Sequence, residues 1–213
     1  MDEGGGEVVR LPVATTPRPR TRMTGQERRE QLIAIGRQVF AERGFEATSI
    51  EEIADRARVS KPVVYEHFGG KEGLHAVIVD RAVQDLMTGL LESLEADHPR
   101  EQIRRATDAF LRFVEEEEPA FRVLVQDAPG GAGGGSLPSV LADVATNVET
   151  VFARQLKQHG YDRKMAPVLA RALVGMVALT GQWWLDVRRP KREVVGSTIV
   201  NLVWNGLKDL QGR

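Results

Sequence analysis

TSIEEIADRARVSKPVVYEHF, residues Thr48 to Phe68, is the stretch from which the rest of the chain is read. Thr48 with Glu51 three residues on has the form of a capping box, in which the hydroxyl accepts a free backbone N–H and the carboxylate reaches back. Ile50, Ile53, Ala54 and Ala57 then recur at helical spacing with charged residues between them. That pattern predicts a helix of roughly two to three turns, apolar on one face. Val59 fits the corner that follows. Ser60 suits the N-cap of a second helix, and Pro62 falls in its first turn, where a missing N–H costs little. Val63, Val64, Tyr65 and Phe68 continue that helix. Two short helices, small alanines and a tight turn make a helix-turn-helix pattern, with an ordinary pair of packed helices as the plainer alternative.

In such a motif the first turn of the second helix faces base edges in the major groove, which makes Lys61, Pro62 and Val63 the candidate readers. Lys61 can donate to guanine O6 and N7 or to a phosphate, and Val63 can touch a thymine methyl. Tyr65 and His67 can donate to phosphate oxygens, which position the helix without reading sequence.

The flanking residues carry a resemblance. Phe40-Ala41-Glu42-Arg43-Gly44-Phe45-Glu46-Ala47-Thr48 matches F-x-x-x-G-[YF]-x-x-[TS]. Ala57 to Phe68 is similar to A-x-V-S-x-x-x-[VIL]-Y-x-[HY]-F, and Lys71 to Leu74 to K-[ED]-x-L. Together these resemble the DNA-binding domain of TetR-type transcriptional repressors, strongly over about Thr24 to Val79 and weakly beyond. The resemblance implies an all-α fold of about nine helices: an N-terminal three-helix helix-turn-helix domain, then a larger helical ligand-binding and dimerisation domain. It implies a homodimer on a palindromic double-stranded DNA operator and a small-molecule effector of unknown identity. It also implies that Lys71 contacts phosphate and that Arg28 or Arg29, on the first helix, lies near the DNA backbone. The expected DNA-binding set is Arg28, Thr48, Ser60, Lys61, Pro62, Val63, Tyr65, His67 and Lys71. One residue departs from the pattern: Arg58 stands where the family usually has glycine. If Arg58 is left-handed, it costs about 1 kcal/mol more than glycine there.

Upstream, residues 1–22 carry Gly, Pro, Thr and Arg without apolar periodicity and read as a disordered basic arm. Arg18, Arg20 and Arg22, with Arg28 and Arg29, form a basic cluster that suits either DNA phosphates and the minor groove or a solvated tail. Thr24 and Glu27 make another capping box, Ile33, Gly36, Phe40 and Ala41 give a helical stripe, and Gly44 is a natural stop. The expected division is a helix-turn-helix domain over 23–70 and a helical body over 71–213.

Downstream, a helix from Lys71 runs through Leu94 to link head and body. Others are expected from Pro99, around Phe121, from Pro138 to Gly160, from Met165 to Val187 and from about Glu193 to Leu210. Ala128 to Leu137 is glycine-rich but lacks the G-K-[ST] ending of a phosphate loop, so it reads as a connection. The Met165–Val187 helix is apolar all round and should be buried on more than one side. With the last helix it forms the expected dimer contact. Phe110, Phe113, Phe121, Phe152, Gln182, Trp183 and Trp184, with Asp186, are the candidate effector contacts. Each is equally a core residue, and the two tryptophans suit a pocket or a dimer core.

Composition closes off other classes. The 213 residues are 42% hydrophobic with net charge −1, which suits a real core and not a uniformly basic nucleic-acid coat. No cysteine is present, which removes disulfides, thiol catalysis and Cys-based zinc. His67, His75, His98 and His159 are scattered, without metal-ligand spacing or a nucleophile elbow. No catalytic site, metal site or cofactor is expected. No apolar run is expected to approach the roughly 18 residues of a membrane span, and no signal-peptide core is evident, so the expectation is a cytoplasmic protein. The alternative function is a helical interaction or structural dimer with weak, non-specific DNA binding.

Overall fold

The computed structural model describes residues 23–93, 98–126, 137–158 and 160–208. The proposed arm over 1–22 and the glycine-rich segment over 127–136 lie outside these. Among the described residues the regular structure is nine α-helices and one short 3₁₀ turn.

Helix α1 (Gly25–Ala47) opens on the expected box: Glu27 N–H donates to Thr24 Oγ1 at 3.2 Å and Thr24 N–H to Glu27 Oε2 at 2.7 Å. Leu32, Ile33, Val39 and Phe40 face inward. Gly44 leaves helical geometry at φ 77°, which turns the chain so that Phe45 stacks beside Phe40, ring centroids 6.0 Å apart. Helix α2 (Ile50–Ala57) follows, and its cap differs from the expected one. Ser49 is the N-cap, its side chain accepting from Glu52 N–H at 3.2 Å. The Thr48 hydroxyl instead donates to the Gly44 carbonyl at 2.7 Å. The break at Gly44 frees that carbonyl, and Thr48, four residues on, is the donor that satisfies it.

Helix α3 (Lys61–Phe68) is anchored by Val64, which is fully buried. Helix α4 (Lys71–Ser93) serves two cores. Its Leu74 and Ile78 complete the head with Leu32, Phe40, Ile53 and Val64, whereas Ala82, Leu86 and Leu90 join the body. The body is built from α5 (Pro99–Glu116), α6 (Glu118–Val125), α7 (Leu137–Gln158), α8 (Ala166–Val187) and α9 (Arg192–Lys208). Helix α6 is a wedge between the two cores: Val123 belongs to the head, and Phe121 and Leu124 to the body. Its ends are tied to α1 by an Arg37–Glu117 ion pair at 2.9 Å and a bond from Gln126 Nε2 to the Ala41 carbonyl at 3.3 Å.

The expectation that no apolar run approaches the length of a membrane span fails at α8. Residues Arg163–Val187 are long and apolar enough to cross a membrane by length and composition, with mean hydropathy 1.3 over an 18-residue stretch. One side of α8 packs into the body through Leu173, Val177, Trp184 and Leu185. The other presents Val168, Leu179, Trp183 and Val187 to solvent, at 68%, 69%, 53% and 47% exposure. Helix α8 is apolar on both faces, and its own chain covers one of them.

Candidate nucleic-acid interface and apolar pocket

Helix α2 ends at Arg58, which is left-handed (φ 56°, ψ 47°). Its N–H donates to the Asp55 carbonyl at 3.1 Å, and Val59 N–H reaches back to the Ala54 carbonyl at 2.9 Å. These bonds close the last turn of α2 and swing the chain into α3. Ser60 takes extended N-cap geometry, but its side chain makes no capping bond and stays exposed. With Val64 fixed inward, the helical period turns Lys61, Pro62 and Tyr65 outward, Tyr65 at 53% exposure. These residues share one solvent-facing side of a short, firmly packed helix.

Lys61 Nζ lies 2.7 Å from Glu51 Oε1. That hydrogen bond, followed by its charge, raises the lysine pKa above the ordinary value, so the ammonium is fully charged near neutrality. Both partners are exposed, and a phosphate or a base edge can exchange with the carboxylate at little cost. Two arginines of the head knit α1 to α2. Arg43 pairs with Glu52 at 2.9 Å and Arg56 with Glu42 at 2.8 Å, joining α1 to α2.

Other members of the expected set lie elsewhere. Thr48 is 3% exposed and its hydroxyl is committed to Gly44, so it is not a surface contact. Lys71 turns toward its own chain: Nζ donates to the Phe45 carbonyl at 3.1 Å and sits 4.4 Å from the Phe45 ring centroid. Arg28 bonds Gln31 on its own helix. Arg29 donates to the His67 carbonyl at 2.8 Å and lies over the Phe68 ring, bracing the C-terminal end of α3. Val63 and His67 are half-buried, and Val63 packs on the head core. In sequence, a lysine opening a helix looks the same whether it meets a phosphate or a carbonyl of its own fold.

The α3–α4 junction is close-packed. A Cβ at Gly73 would lie 1.9 Å from the Phe68 carbonyl oxygen, so no side chain fits without moving α3. Gly73→Ala is expected to lower stability by about 1–3 kcal/mol, a melting decrease of roughly 5 °C, and to weaken duplex binding with it. Thermal unfolding and a binding titration on one preparation check this; an unchanged melting point would show that the junction relaxes freely. Nearby, His75 is buried between Phe40 and Phe45, each ring centroid 4.9 Å away. Burial first, and then the charge of Lys71, pushes its pKa below the ordinary histidine value.

The body holds a small, partly open pocket with a cavity volume of about 50 Å³. Leu90 of α4, Ile103, Thr107 and Phe110 of α5, Val148 of α7, and Leu173 and Val177 of α8 lie on its wall, which is almost wholly apolar. Of the expected effector contacts, Phe110 lines it. Phe121 is fully buried behind Phe110, edge to face at 5.8 Å, and Phe113 and Phe152 pack in the core. Trp184 is 1% exposed and donates Nε1–H to the Pro190 carbonyl at 2.7 Å. Gln182 and Trp183 are exposed on the outer side of α8, and Asp186, also exposed, pairs with Arg122 at 3.2 Å. The correction is one of helical phase: Leu173, Val177 and Trp184 share the inward face, and Gln182 and Trp183 fall on the opposite one. The wall residues were legible as apolar stripes, but nothing local distinguishes a stripe facing a cavity from one facing a neighbour.

Residues 32–78 match the family described as "Bacterial regulatory proteins, tetR family", and residues 99–206 match "Tetracyclin repressor-like, C-terminal domain". The chain is 33% identical over 193 residues to the HTH-type transcriptional activator FasR of Mycolicibacterium smegmatis, covering 87% of this chain and 85% of that one. It is 31% identical over 161 residues to an HTH-type transcriptional repressor of Mycobacterium tuberculosis, covering 70% and 79%. Among solved structures, a TetR-like transcriptional regulator from Rhodococcus sp. RHA1 superposes with a TM-score of 0.73 at 27% identity, over 89% of this chain and 100% of that one.

Proposed function

This chain belongs to the TetR family of bacterial regulatory proteins, and from that premise we propose that two copies bind a palindromic operator through α3 and leave it when an apolar compound enters the body. The protein is a DNA-binding transcriptional regulator and not an enzyme. The observation that carries the site is the solvent-facing side of α3, where Lys61, Pro62 and Tyr65 stand together beside the uncapped hydroxyl of Ser60. A helix that presents its N-terminal residues in this way matches a major groove: Lys61 to guanine, Tyr65 and Ser60 to phosphate. Lys71 is assigned a supporting role, since its ammonium already holds the head together, and the half-buried His67 imidazole is left as a phosphate donor beside Tyr65.

The dimer is assigned to the outer faces of α8 and α9. Leu179 and Trp183 of α8 and Val194 and Leu202 of α9 are exposed apolar side chains, and two copies related by a twofold axis would bury them in a four-helix bundle. The same axis relates two α3 helices, so the operator has two half-sites one helical turn or a multiple of it apart. An effector acts only by preferring one head spacing over another. The pocket between α5, α7 and α8 suits an apolar molecule, and α6, shared by both cores, joins it to the head. Loss of operator binding at a promoter is relief of repression. The relatives include one named an activator and one named a repressor, so the sign of the response follows the operator's place relative to the promoter. The site of action is the bacterial cytoplasm.

Selection of bound duplexes from a random pool at about 150 mM salt tests this directly. A twofold sequence should be recovered, and Lys61→Ala should bind it about 10- to 100-fold more weakly, the equivalent of roughly 1–3 kcal/mol. Binding that shows no sequence preference and disappears with added salt would overturn the operator reading.

A further inference from the structure

We propose that Arg58 is a DNA-backbone contact of this protein, held free in the helix-turn-helix turn at the expense of backbone comfort; the inference rests on the DNA-binding reading above. Every other described cation of the head from Arg28 to Arg81 has a partner. Arg28 bonds Gln31, Arg29 the His67 carbonyl, Arg37 Glu117, Lys71 the Phe45 carbonyl, and Arg81 Glu30. Arg43, Arg56 and Lys61 pair with glutamates. Among the described residues of the head, Arg58 is the cation whose side chain meets no carboxylate, carbonyl or ring, and it is exposed.

Its backbone makes that exposure informative. At φ 56° a side chain is disfavoured, and glycine or asparagine would close α2 with less strain. A positive charge at a helix C-terminus has some value against the helix dipole, but Arg56 already supplies one in the last turn of α2. Arg58 also stands three positions before Lys61, at the entry to the recognition helix. From there its long, always-charged fork can reach the phosphates flanking the bases that Lys61 faces, and a guanidinium binds phosphate in two-pronged fashion.

The proposal predicts opposite movements in stability and binding. Arg58→Asn should melt about 2 °C above the wild type, because asparagine tolerates the left-handed turn. Arg58→Gly should melt at or slightly above it, since glycine's freedom in the unfolded chain offsets part of the gain. Both variants should bind a random-sequence duplex pool roughly tenfold more weakly at 150 mM salt. Their plot of log K against log salt should be shallower by about 0.9, the value of one phosphate contact. Arg58→Lys should keep the wild-type salt slope. Wild-type affinity and slope in the Asn and Gly variants would overturn the proposal, as would a fall in melting point with no change in slope, which would make Arg58 purely structural. The random pool separates this from the operator reading: a wild type whose salt slope depends on Arg58 but which selects no twofold sequence would sink that reading and leave this one standing.

Discussion

A Leu179→Glu, Trp183→Glu variant should run as a folded monomer and bind the selected operator duplex about 10²- to 10⁴-fold more weakly than the wild type. Both side chains are exposed on α8, at 69% and 53%, so the substitutions remove nothing from the core and the helical content should be kept. They lie four residues apart on the outer stripe, in line with Val187. Carboxylates there would have to shed their water without a partner to bring two α8 helices together, a cost of several kcal/mol at each copy. A monomer still presents one α3 to one half-site, but it loses the gain from placing the second head at high effective concentration over the other half-site, and that gain sets the expected range. Sedimentation or light scattering at micromolar concentration reads the first part, and duplex titration the second. A variant that stays dimeric would move the interface off α8. A wild type that is monomeric at these concentrations would remove the twofold operator with it.

Phe121→Ala has the second large effect, on stability. Phe121 is fully buried on the wedge helix α6, against Phe110 at 5.8 Å, while Val123 two residues on is in the head core. Truncating a buried phenylalanine removes its transfer energy and leaves a cavity, together about 3–5 kcal/mol. In a chain of this size that lowers the melting temperature by roughly 10 °C or more. The void opens behind the pocket wall at Phe110, so the variant should also bind apolar probes more readily than the wild type. A melting point within a degree of wild type would mean that the head and body do not share α6 as packed. It would return Phe121 to the list of effector contacts, where the apolar spacing alone had placed it.

These two outcomes turn on different kinds of knowledge. The helix-turn-helix was legible because its signals are local: alanines at 54 and 57, Val59 at the corner, Pro62 in a first turn where its missing N–H costs nothing. The Thr24–Glu27 box could be read from two residues for the same reason. Thr48–Glu51 had the same form and failed, because the carbonyl freed at Gly44 competed for the Thr48 hydroxyl and won. The left-handed turn at Arg58 was foreseeable from the family's glycine; that its side chain would be the unpaired cation among the described residues of the head was not, since pairing depends on residues far away in sequence.

What the sequence by itself determined is the set of helices, the motif that enters DNA, and the family, because capping, turn chemistry and apolar period are properties of neighbouring residues. The tertiary structure decided which face of each helix meets what. It turned Trp184 inward to the Pro190 carbonyl and Trp183 outward, drew Lys71 to Phe45, and made α4 and α6 members of two cores at once. The physical reason lies with α8: an apolar residue is favoured against any apolar neighbour, so a helix greasy on all sides carries no local instruction about which side is core, cavity or partner. Only the placement of the other helices around it supplies that.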